Sequence, residues 1–305
     1  MPKVDTKHEI KYVDPSGINK FNRCPFSYYL SRLEGYRDPK RNTIALDYGT
    51  CMHSALPHCL EGGSDTDKAK EIFSNNWAEF RHEGLDPARN LDRAFASLDA
   101  FASMHDPMCC AYDVVEFDSP DVVHKGNIDK GEVPYLVNIN GALPLGGRID
   151  MVVRMKNTNQ LWCLDFKTSA EISSRFWNGF HASTQGLAYT LALSILADEN
   201  CTGLIVEAIR TSKVNAESSM GLNFIQSHQL ERFVEFANNT SAEIVKCNEE
   251  QNWPQKCSGC ATYSMFGQPG YYCDYKKVCD SVDWKSVLKY MSKEEPFHPF
   301  DMKEI

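Results

Sequence analysis

The first third of the chain carries apolar residues at helical spacing. Asp14-Pro15-Ser16 is a helix-start signal, and the apolar positions that follow it as far as residue 34 recur every three or four residues. Because Pro25 comes directly after Cys24, two helices are predicted to meet there. The same spacing predicts further helices over 46–60, 67–81 and 84–105.

The pattern changes to strand-like runs after residue 111. Strands are predicted over 112–117 and 134–140, on either side of a loop rich in Asp, Lys and Gly. A hairpin follows, and then a long helix over 174–198, a buried strand over 202–210, a short strand over 222–226 and a helix over 227–249. This order indicates an α/β or α+β protein with one central mixed sheet flanked by helices.

Composition and charge narrow the possible partners. The 305 residues are 42% hydrophobic and 24% charged, as in ordinary soluble proteins. No apolar run approaches the ~20 residues that span a bilayer, and the polar N-terminus lacks the apolar core of a signal peptide. We therefore expect a cytoplasmic protein with no membrane partner. The net charge of −9 counts against indiscriminate duplex binding but leaves room for a narrow basic channel.

Two acids stand at the ends of strand-like runs in the hairpin. An apolar run follows Asp150, another precedes Asp165, and a polar, Asn-containing turn over 156–160 separates them. Folding there would bring Asp150, Asp165 and Lys167 to one end of two adjacent strands. Carboxylates suit Mg²⁺ or Mn²⁺, and a neighbouring ammonium can orient a water against a phosphate. The alternative is an exposed Asp–Lys ion pair of little consequence.

The cysteines near the C-terminus have the spacing of metal ligands. Cys257 and Cys260 form one close pair, and Cys273 and Cys279 a second. In a reducing compartment, thiols more often bind metal or stay free than form disulfides. Spacing alone makes a zinc ribbon of all four the default, with an iron–sulfur cluster or unliganded thiols as alternatives. The distant Cys24, taken alone, is predicted to be a core helix residue.

Five short motifs, taken in order, resemble the RecB-like branch of the PD-(D/E)xK nuclease superfamily. They are Cys24-Pro25 followed by aromatic residues, Gly49-Thr50-Cys51-Met52-His53, Gly147-Arg148-Ile149-Asp150, Asp165-Phe166-Lys167 and Gln185-Gly186-Leu187-Ala188-Tyr189. Each motif alone is weak, but together they cover residues 16 to 280. The resemblance implies a restriction-endonuclease-like core and a phosphodiesterase activity.

The resemblance also implies a set of metal ligands. Asp150 and Asp165 would bind Mg²⁺ or Mn²⁺ with help from the Phe166 carbonyl, and His53 would be the additional ligand that marks RecB-like members. A lone helix histidine is otherwise more often a satisfied core residue. Lys167 would position or deprotonate the attacking water.

Two further positions are implied on the helix that follows the acid-x-Lys strand. Gln185 and Tyr189 are four residues apart and so share a helix face. The resemblance places them beside the active centre, where they would hold Lys167 or the nucleic-acid backbone. A half-buried amphipathic helix would show the same spacing. Glu132, in preference to Glu116, is a candidate for an additional acid, and Arg148 would contact phosphate or pair with an acid.

Some members of the branch hold a [4Fe–4S] cluster with one cysteine before the nuclease core and three after it. The resemblance makes Cys24 the first ligand and Cys273 and Cys279 the last two, with Cys260 preferred over Cys257 for the remaining place. Such a cluster would join the N- and C-terminal parts of the chain and couple metal binding to folding. The extra cysteine leaves a Zn²⁺ site confined to the tail as an alternative.

The resemblance, which extends to CRISPR adaptation, AddB-type and phage nucleases, implies a Mg²⁺- or Mn²⁺-dependent DNA nuclease. An exonuclease that acts on single-stranded or end-bearing DNA is preferred to an endonuclease. The alternative is a non-catalytic nucleic-acid-binding relative for recombination or adaptation. The predicted regions are an N-terminal helical region (1–110), a nuclease core (111–250) and a cysteine-rich tail (251–305), together forming one compact unit.

Overall fold

The computed structural model describes residues 4, 6–39, 42–61, 66–82, 84–105, 110–117, 132–181, 183–213, 216–256, 261–263 and 269–295. Within these ranges, no helix is both long enough and apolar enough to cross a membrane. The chain divides into two compact units. One comprises Met1–Arg41, Leu136–Gly146 and Arg232–Asp301, and the other comprises Asn42–Tyr135, Gly147–Glu231 and Met302–Ile305.

The helices and strands follow one another along the chain in this order. The helices are α1 (Pro15–Arg23), α2 (Pro25–Tyr28), α3 (Ile44–Glu61), α4 (Asp67–Phe80), α5 (Leu91–Met104), α6 (Ser174–Asn178), α7 (Thr184–Ala197), α8 (Ser227–Glu249), α9 (Lys276–Asp280) and α10 (Trp284–Leu288), with a π-helical turn at Tyr29–Leu33. The strands are β1 (Tyr36–Arg37), β2 (Tyr112–Val114), β3 (Val133–Val137), β4 (Leu145–Ile149), β5 (Met151–Met155), β6 (Leu161–Ser169), β7 (Cys201–Arg210), β8 (Glu217–Phe224), β9 (Ala261–Tyr263), β10 (Pro269–Tyr272) and β11 (Ser292–Lys293).

A five-stranded mixed sheet forms the centre of the second unit, which confirms the predicted central mixed sheet of an α/β protein. The strand order is β2-β5-β6-β7-β8. Only β6 and β7 run parallel; the other neighbours are antiparallel. Because parallel strands need a crossover, α7 connects the end of β6 to the start of β7.

The register of the predicted hairpin decides where the functional residues lie. β5 pairs with β6 from Arg154 opposite Leu161 to Met151 opposite Leu164, and the pairing ends there. β6 continues to Ser169 alongside β7. Residues 165–169 therefore keep a partner strand on one side, while Asp150 stands at the point where the β5 side ends. The sequence pattern predicted Asp165 at the end of its strand. In the structure, Asp165 lies inside β6.

Alternation along β6 separates two environments. Trp162, Leu164 and Phe166 point into a core formed with α3, α4 and α5, whose large buried members include Tyr48, Phe73, Trp77 and Phe101. The intervening residues, among them Asp165 and Lys167, point to the opposite face because successive strand residues alternate. α7 lies over that face, where Gln185 reaches Asp165.

The first unit combines segments from the N-terminal and C-terminal parts of the chain. Asp14 caps α1 by accepting a hydrogen bond from the Gly17 amide at 2.9 Å. Stacked rings of Tyr28 and Tyr29 against Trp253 form its aromatic centre. β1 pairs antiparallel with β11, so residues from both ends of the sequence belong to one unit.

Several predicted boundaries are wrong. The helix predicted over 174–198 is two helices, because Gly179 ends α6 and Ser183 starts α7 as its N-cap. The helix predicted over 84–105 begins only at Leu91, where Asn90 is the N-cap. The strand predicted over 222–226 is β8, which spans Glu217–Phe224. The predicted meeting of two helices at Cys24-Pro25 and the helix over 227–249 are confirmed.

Candidate metal-dependent active site

Asp150 is held by the strand that it faces. It occupies the bend between β4 and β5, and its Oδ2 accepts a hydrogen bond from the Phe166 backbone N–H at 2.9 Å. That amide lies in β6 just beyond the last residue paired with β5. The carboxylate thus takes the place of a strand neighbour, which fixes its position next to the acid-x-Lys segment.

His53 approaches the same carboxylate from α3. Its Nδ1 lies 3.2 Å from Asp150 Oδ2, and its ring packs edge-on against Phe166, with centroids 6.0 Å apart. Gly49, one helical turn earlier, faces Thr168: a Cβ there would come within 3.4 Å of Thr168 Oγ1. The glycine and histidine of the Gly-Thr-x-x-His motif therefore both lie against β6.

Asp165 and Lys167 form an ion pair on one face of β6. Asp165 is fully buried, whereas the Lys167 side chain is 28% exposed, and Lys167 Nζ lies 2.5 Å from Asp165 Oδ2. The other carboxylate oxygen, Oδ1, accepts a hydrogen bond from Gln185 Nε2 at 3.1 Å. A buried carboxylate paired with a partly exposed ammonium is weak evidence for a stabilising role.

The start of α7 determines where Gln185 lies. Ser183 caps the helix by accepting a hydrogen bond from the Gly186 amide at 3.0 Å, which places Gln185 in the first turn. The same Gln185 nitrogen also donates to the Tyr189 hydroxyl at 2.7 Å. The structure therefore brings Gln185 to the Asp165 carboxylate and Tyr189 to Gln185. The predicted contact with the nucleic-acid backbone stays a prediction.

The charges of this cluster shift one another's titration. Burial raises the pKa of Asp165 to about 6; Lys167 opposes this and Asp150 adds to it. Burial also disfavours the charged forms of Asp150, His53 and Lys167, but their mutual attraction outweighs it. The pKa of Asp150 is consequently lowered, chiefly by His53, and the pKa values of His53 and Lys167 are raised, chiefly by Asp150 and Asp165 respectively.

The possible metal ligands stand as two pairs. His53 pairs with Asp150, and Lys167 pairs with Asp165. Within the described part of the chain, no group of three or more His, Cys, Asp or Glu side chains is arranged to hold a metal ion. The donor chemistry nevertheless fits a hard divalent cation, because the two neighbouring pairs supply two carboxylates and an imidazole, and the charges of Asp150 and His53 act on Asp165. Burial and the charge of Asp150 raise the pKa of Asp165, and a bound cation would oppose both effects.

One neighbour of the site, Tyr135, was not predicted from the sequence. Tyr135 packs edge-on against Tyr189, with centroids 6.0 Å apart, and its phenol fills the space that a Cβ on Gly147 would occupy. This contact explains the glycine of the Gly-x-x-Asp motif. The candidate acid Glu132 pairs with Arg148 at 2.8 Å, so its carboxylate is directed to a guanidinium. No sequence signal marks Tyr135, because it is separated from Gly147 along the chain and meets it only in the folded structure.

The cysteines can be placed only in part. Cys24 is buried, and Cys273 and Cys279 are half-buried, all in the unit that holds both chain ends. Cys257 and Cys260 lie outside the described residues. Cys163 and Cys201 are buried in the central sheet with their sulfurs 3.8 Å apart, as expected of core cysteines.

Comparison with known proteins agrees with this geometry. A profile of the PD-(D/E)XK nuclease superfamily matches residues 13–280, and the chain therefore belongs to that superfamily. A search of curated proteins found no match. Among solved structures, a "Putative exonuclease" from Eubacterium rectale is 16% identical, covers 81% of this chain and 85% of its own, and has a TM-score of 0.48. SSO0001 is 11% identical over 78% of this chain and 79% of its own, with a TM-score of 0.32. At these scores neither structure supports an argument about this chain.

Proposed function

We propose that this protein is a Mg²⁺- or Mn²⁺-dependent nuclease that hydrolyses phosphodiester bonds in DNA. The observation that carries the proposal is the cluster around β6. Asp150 lies 3.2 Å from His53, and Asp165 lies 2.5 Å from Lys167. The Phe166 amide ties Asp150 to the same strand. Membership of the nuclease superfamily supports hydrolysis as the use of this cluster.

Asp150, Asp165, His53 and the Phe166 carbonyl would hold the metal ion. When bound, a divalent cation polarises a phosphoryl oxygen and lowers the pKa of a water. The protein contributes position: the Phe166 N–H fixes one carboxylate, and Gln185 fixes the other through Oδ1. Outer partners of this kind orient ligands and tune their affinity.

Lys167 is the group suited to the reacting phosphate. Its side chain is 28% exposed, while its carboxylate partner is fully buried. The ammonium can therefore face a bound phosphodiester without leaving Asp165. In that position it would orient the attacking water and stabilise the charge that develops on the phosphate oxygens.

The finer assignment is an exonuclease of the RecB-like branch acting on single-stranded or end-bearing DNA. It is supported by the order of the five sequence motifs and by the net charge of −9, which counts against broad duplex binding. Covalently closed single-stranded circles separate the two modes of cleavage. An exonuclease leaves them intact while degrading linear strands of the same sequence.

The experiment compares the parent with Asp150→Asn on end-labelled linear DNA, in EDTA and after addition of Mg²⁺ or Mn²⁺. We expect metal-dependent cleavage by the parent, and a fall of about 100-fold or more in the variant. Asp113→Asn is the matched control, because Asp113 is 71% exposed on β2, where it faces Lys156. If EDTA does not stop cleavage, or if Asp150→Asn matches Asp113→Asn, the proposed active site is wrong.

For the cysteines, we propose a [4Fe–4S] cluster held by Cys24, Cys273, Cys279 and, by preference, Cys260. It is supported by the packing of both chain ends in one unit. Iron, zinc and sulfide analysis of protein purified without oxygen provides the test. Four irons per chain, lost in Cys24→Ser, would support the cluster. Stoichiometric zinc that survives Cys24→Ser would establish the tail-only alternative.

A further inference from the structure

Three half-exposed aromatic rings lie on the segment that joins two of the site's elements. Residues 170–183 run from the end of β6, which carries Lys167, to the start of α7, which carries Gln185. Phe176 contacts both Trp177 and Phe180, each at a centroid distance of 5.0 Å and with steeply inclined planes. None of the five residues of α6 is buried. We call Phe176, Trp177 and Phe180 the aromatic platform.

Trp177 anchors the platform to the sheet. Its ring occupies the space that a Cβ on Gly221 would fill. A five-residue helix has little stability of its own, so this contact and the ring cluster hold α6 in place. Anchoring the segment requires the tryptophan, but it does not account for Phe176 and Phe180, which also remain half-exposed to solvent.

Strand register gives the distance from the platform to the acid. Asp165 pairs with Val206, and Val206 pairs with Gly221. Residues in register share a face, and neighbouring strands are about 4.8 Å apart, so Gly221 lies about 10 Å from Asp165 on the same side of the sheet. At the ~3.4 Å rise of a stacked strand, this span corresponds to about three nucleotides.

We propose that the aromatic platform is a subsite for unpaired nucleobases of the nucleic-acid strand whose backbone reaches Asp165 and Lys167. The inference rests on the proposed nuclease function and deepens it. Half-exposed rings within a few nucleotides of the cleavage centre match the way in which single-stranded nucleic acids stack on proteins. Paired bases are already stacked inside a duplex, so the platform would favour single strands and frayed ends.

The near-neutral charge of segment 170–183 indicates that base stacking, and not phosphate contact, provides most of the platform's contribution to binding affinity. Segment 170–183 has one acidic residue, Glu171, and one basic residue, Arg175, both exposed. Phosphate contacts lose strength steeply as salt rises, whereas base stacking does not depend on counterion release. The platform's contribution to affinity should therefore persist at salt concentrations that weaken the rest of the interface.

The test measures binding to labelled oligonucleotides by fluorescence anisotropy in EDTA, where cleavage does not interfere. The variant is Phe176→Ala, and the matched control is Phe224→Ala. Phe224 is 62% exposed on β8 and, by alternation from Gly221, lies on the opposite face of the sheet. We expect Phe176→Ala to raise the Kd for a single strand by about 5-fold or more. The Kd for duplex and the behaviour of Phe224→Ala should stay unchanged.

An oligonucleotide that contains abasic sites identifies the contact as stacking. The parent should bind it more weakly than the intact strand, and Phe176→Ala should no longer distinguish the two. Phe176→Leu retains an apolar side chain and tests for a role in packing alone: it should lose single-strand affinity as Phe176→Ala does.

Three results would overturn the platform: equal losses for single strand and duplex, full recovery in Phe176→Leu, or a parent that binds no single strand. These outcomes would not contradict the proposed nuclease function, because metal-dependent cleavage by the parent tests that function separately.

Discussion

Two fully buried carboxylates lie on neighbouring strands of the central sheet, and they have opposite surroundings. Asp165 on β6 and Glu207 on β7 are both 0% exposed. Glu207 Oε1 contacts His105 Nε2 and the Tyr112 hydroxyl, each at 2.9 Å. Those partners are themselves buried. Asp165 instead faces the half-exposed Lys167 and shares its cluster with Asp150 and His53.

The comparison shows that burial of a charge does not by itself identify a site. The imidazole of His105 is satisfied at both ends, because its Nδ1 also lies 2.8 Å from the Phe101 carbonyl. Glu207 therefore belongs to a buried structural network under α5, in which Oε1 is paired and Oε2 has no hydrogen-bond partner among the described residues. Asp165 belongs to a cluster of several charged groups, and two of them, Lys167 and His53, are partly exposed to solvent. The two acids differ in that Asp165 has a solvent-exposed partner, Lys167, which a substrate can reach, whereas the partners of Glu207 are buried.

The largest expected effect is that of Asp165→Asn on catalysis. The amide keeps the shape of the side chain but removes the charge that would hold a metal ion, so cleavage should fall by about 1000-fold or more. The free energy of unfolding should change little, because the substitution also removes repulsion from Asp150. Cleavage kinetics and urea unfolding of the same preparation measure both quantities. A variant that is mainly unstable would make Asp165 resemble Glu207 and remove the distinction.

Glu207→Ala should show the opposite behaviour. Removal of one partner from a buried network leaves His105 and Tyr112 unsatisfied and should cost about 3–5 kcal/mol of unfolding free energy. Cleavage per folded molecule should remain that of the parent. Glu217→Ala is the control, because Glu217 forms a half-exposed ion pair with Arg210 on the neighbouring strand and should change stability by less than about 1 kcal/mol. A selective loss of catalysis in Glu207→Ala would contradict a purely structural network.

Gln185→Ala should have an intermediate effect confined to the open cluster. Its amide holds Asp165 Oδ1, and loss of such an outer partner costs about 10- to 100-fold in activity or metal affinity. The concentration of Mn²⁺ that gives half-maximal cleavage should rise accordingly. Gln160→Ala, in the exposed hairpin turn, should leave that concentration unchanged. If both variants behave alike, Gln185 does not position the carboxylate.

The smallest expected effect is that of Gly221→Ala. The added methyl group would overlap the Trp177 ring. The shifts needed to accommodate it should lower the free energy of unfolding by about 1–3 kcal/mol. Thermal unfolding measures the loss, which Trp177→Leu in the same chain should partly restore. Absence of any loss in Gly221→Ala would show that Trp177 does not anchor α6 on the sheet.

The part of the site that sequence predicted is the part fixed by local periodicity. Alternation placed Asp165 and Lys167 on one face, and the polar turn over 156–160 predicted the hairpin that brings Asp150 near them. Contacts between residues that are far apart along the chain left no comparable pattern in the sequence. His105 and Glu207 are 102 residues apart, and the Phe166 amide finds Asp150 only because the β5 pairing stops at Leu164.

Helix boundaries failed for a different reason. The apolar spacing over 174–198 is compatible with one continuous helix, and only Gly179 and the capping Ser183 reveal the break. That break determines the position of Gln185 and of the aromatic platform. The superfamily assignment is confirmed, because it combined five motifs in order, of which Gly49 and Gly147 mark close approaches to neighbouring side chains. Membership of the RecB-like branch stays a prediction.

The central claim is that the open cluster around β6 cleaves DNA, and Lys167→Ala tests it most directly. Lys156→Ala is the matched control, since Lys156 is an exposed lysine at the far end of the same hairpin. With Mn²⁺ and end-labelled single-stranded DNA, Lys167→Ala should be folded and slower than the parent by about 100-fold or more, while Lys156→Ala should match the parent. Equal rates for all three proteins would contradict the claim.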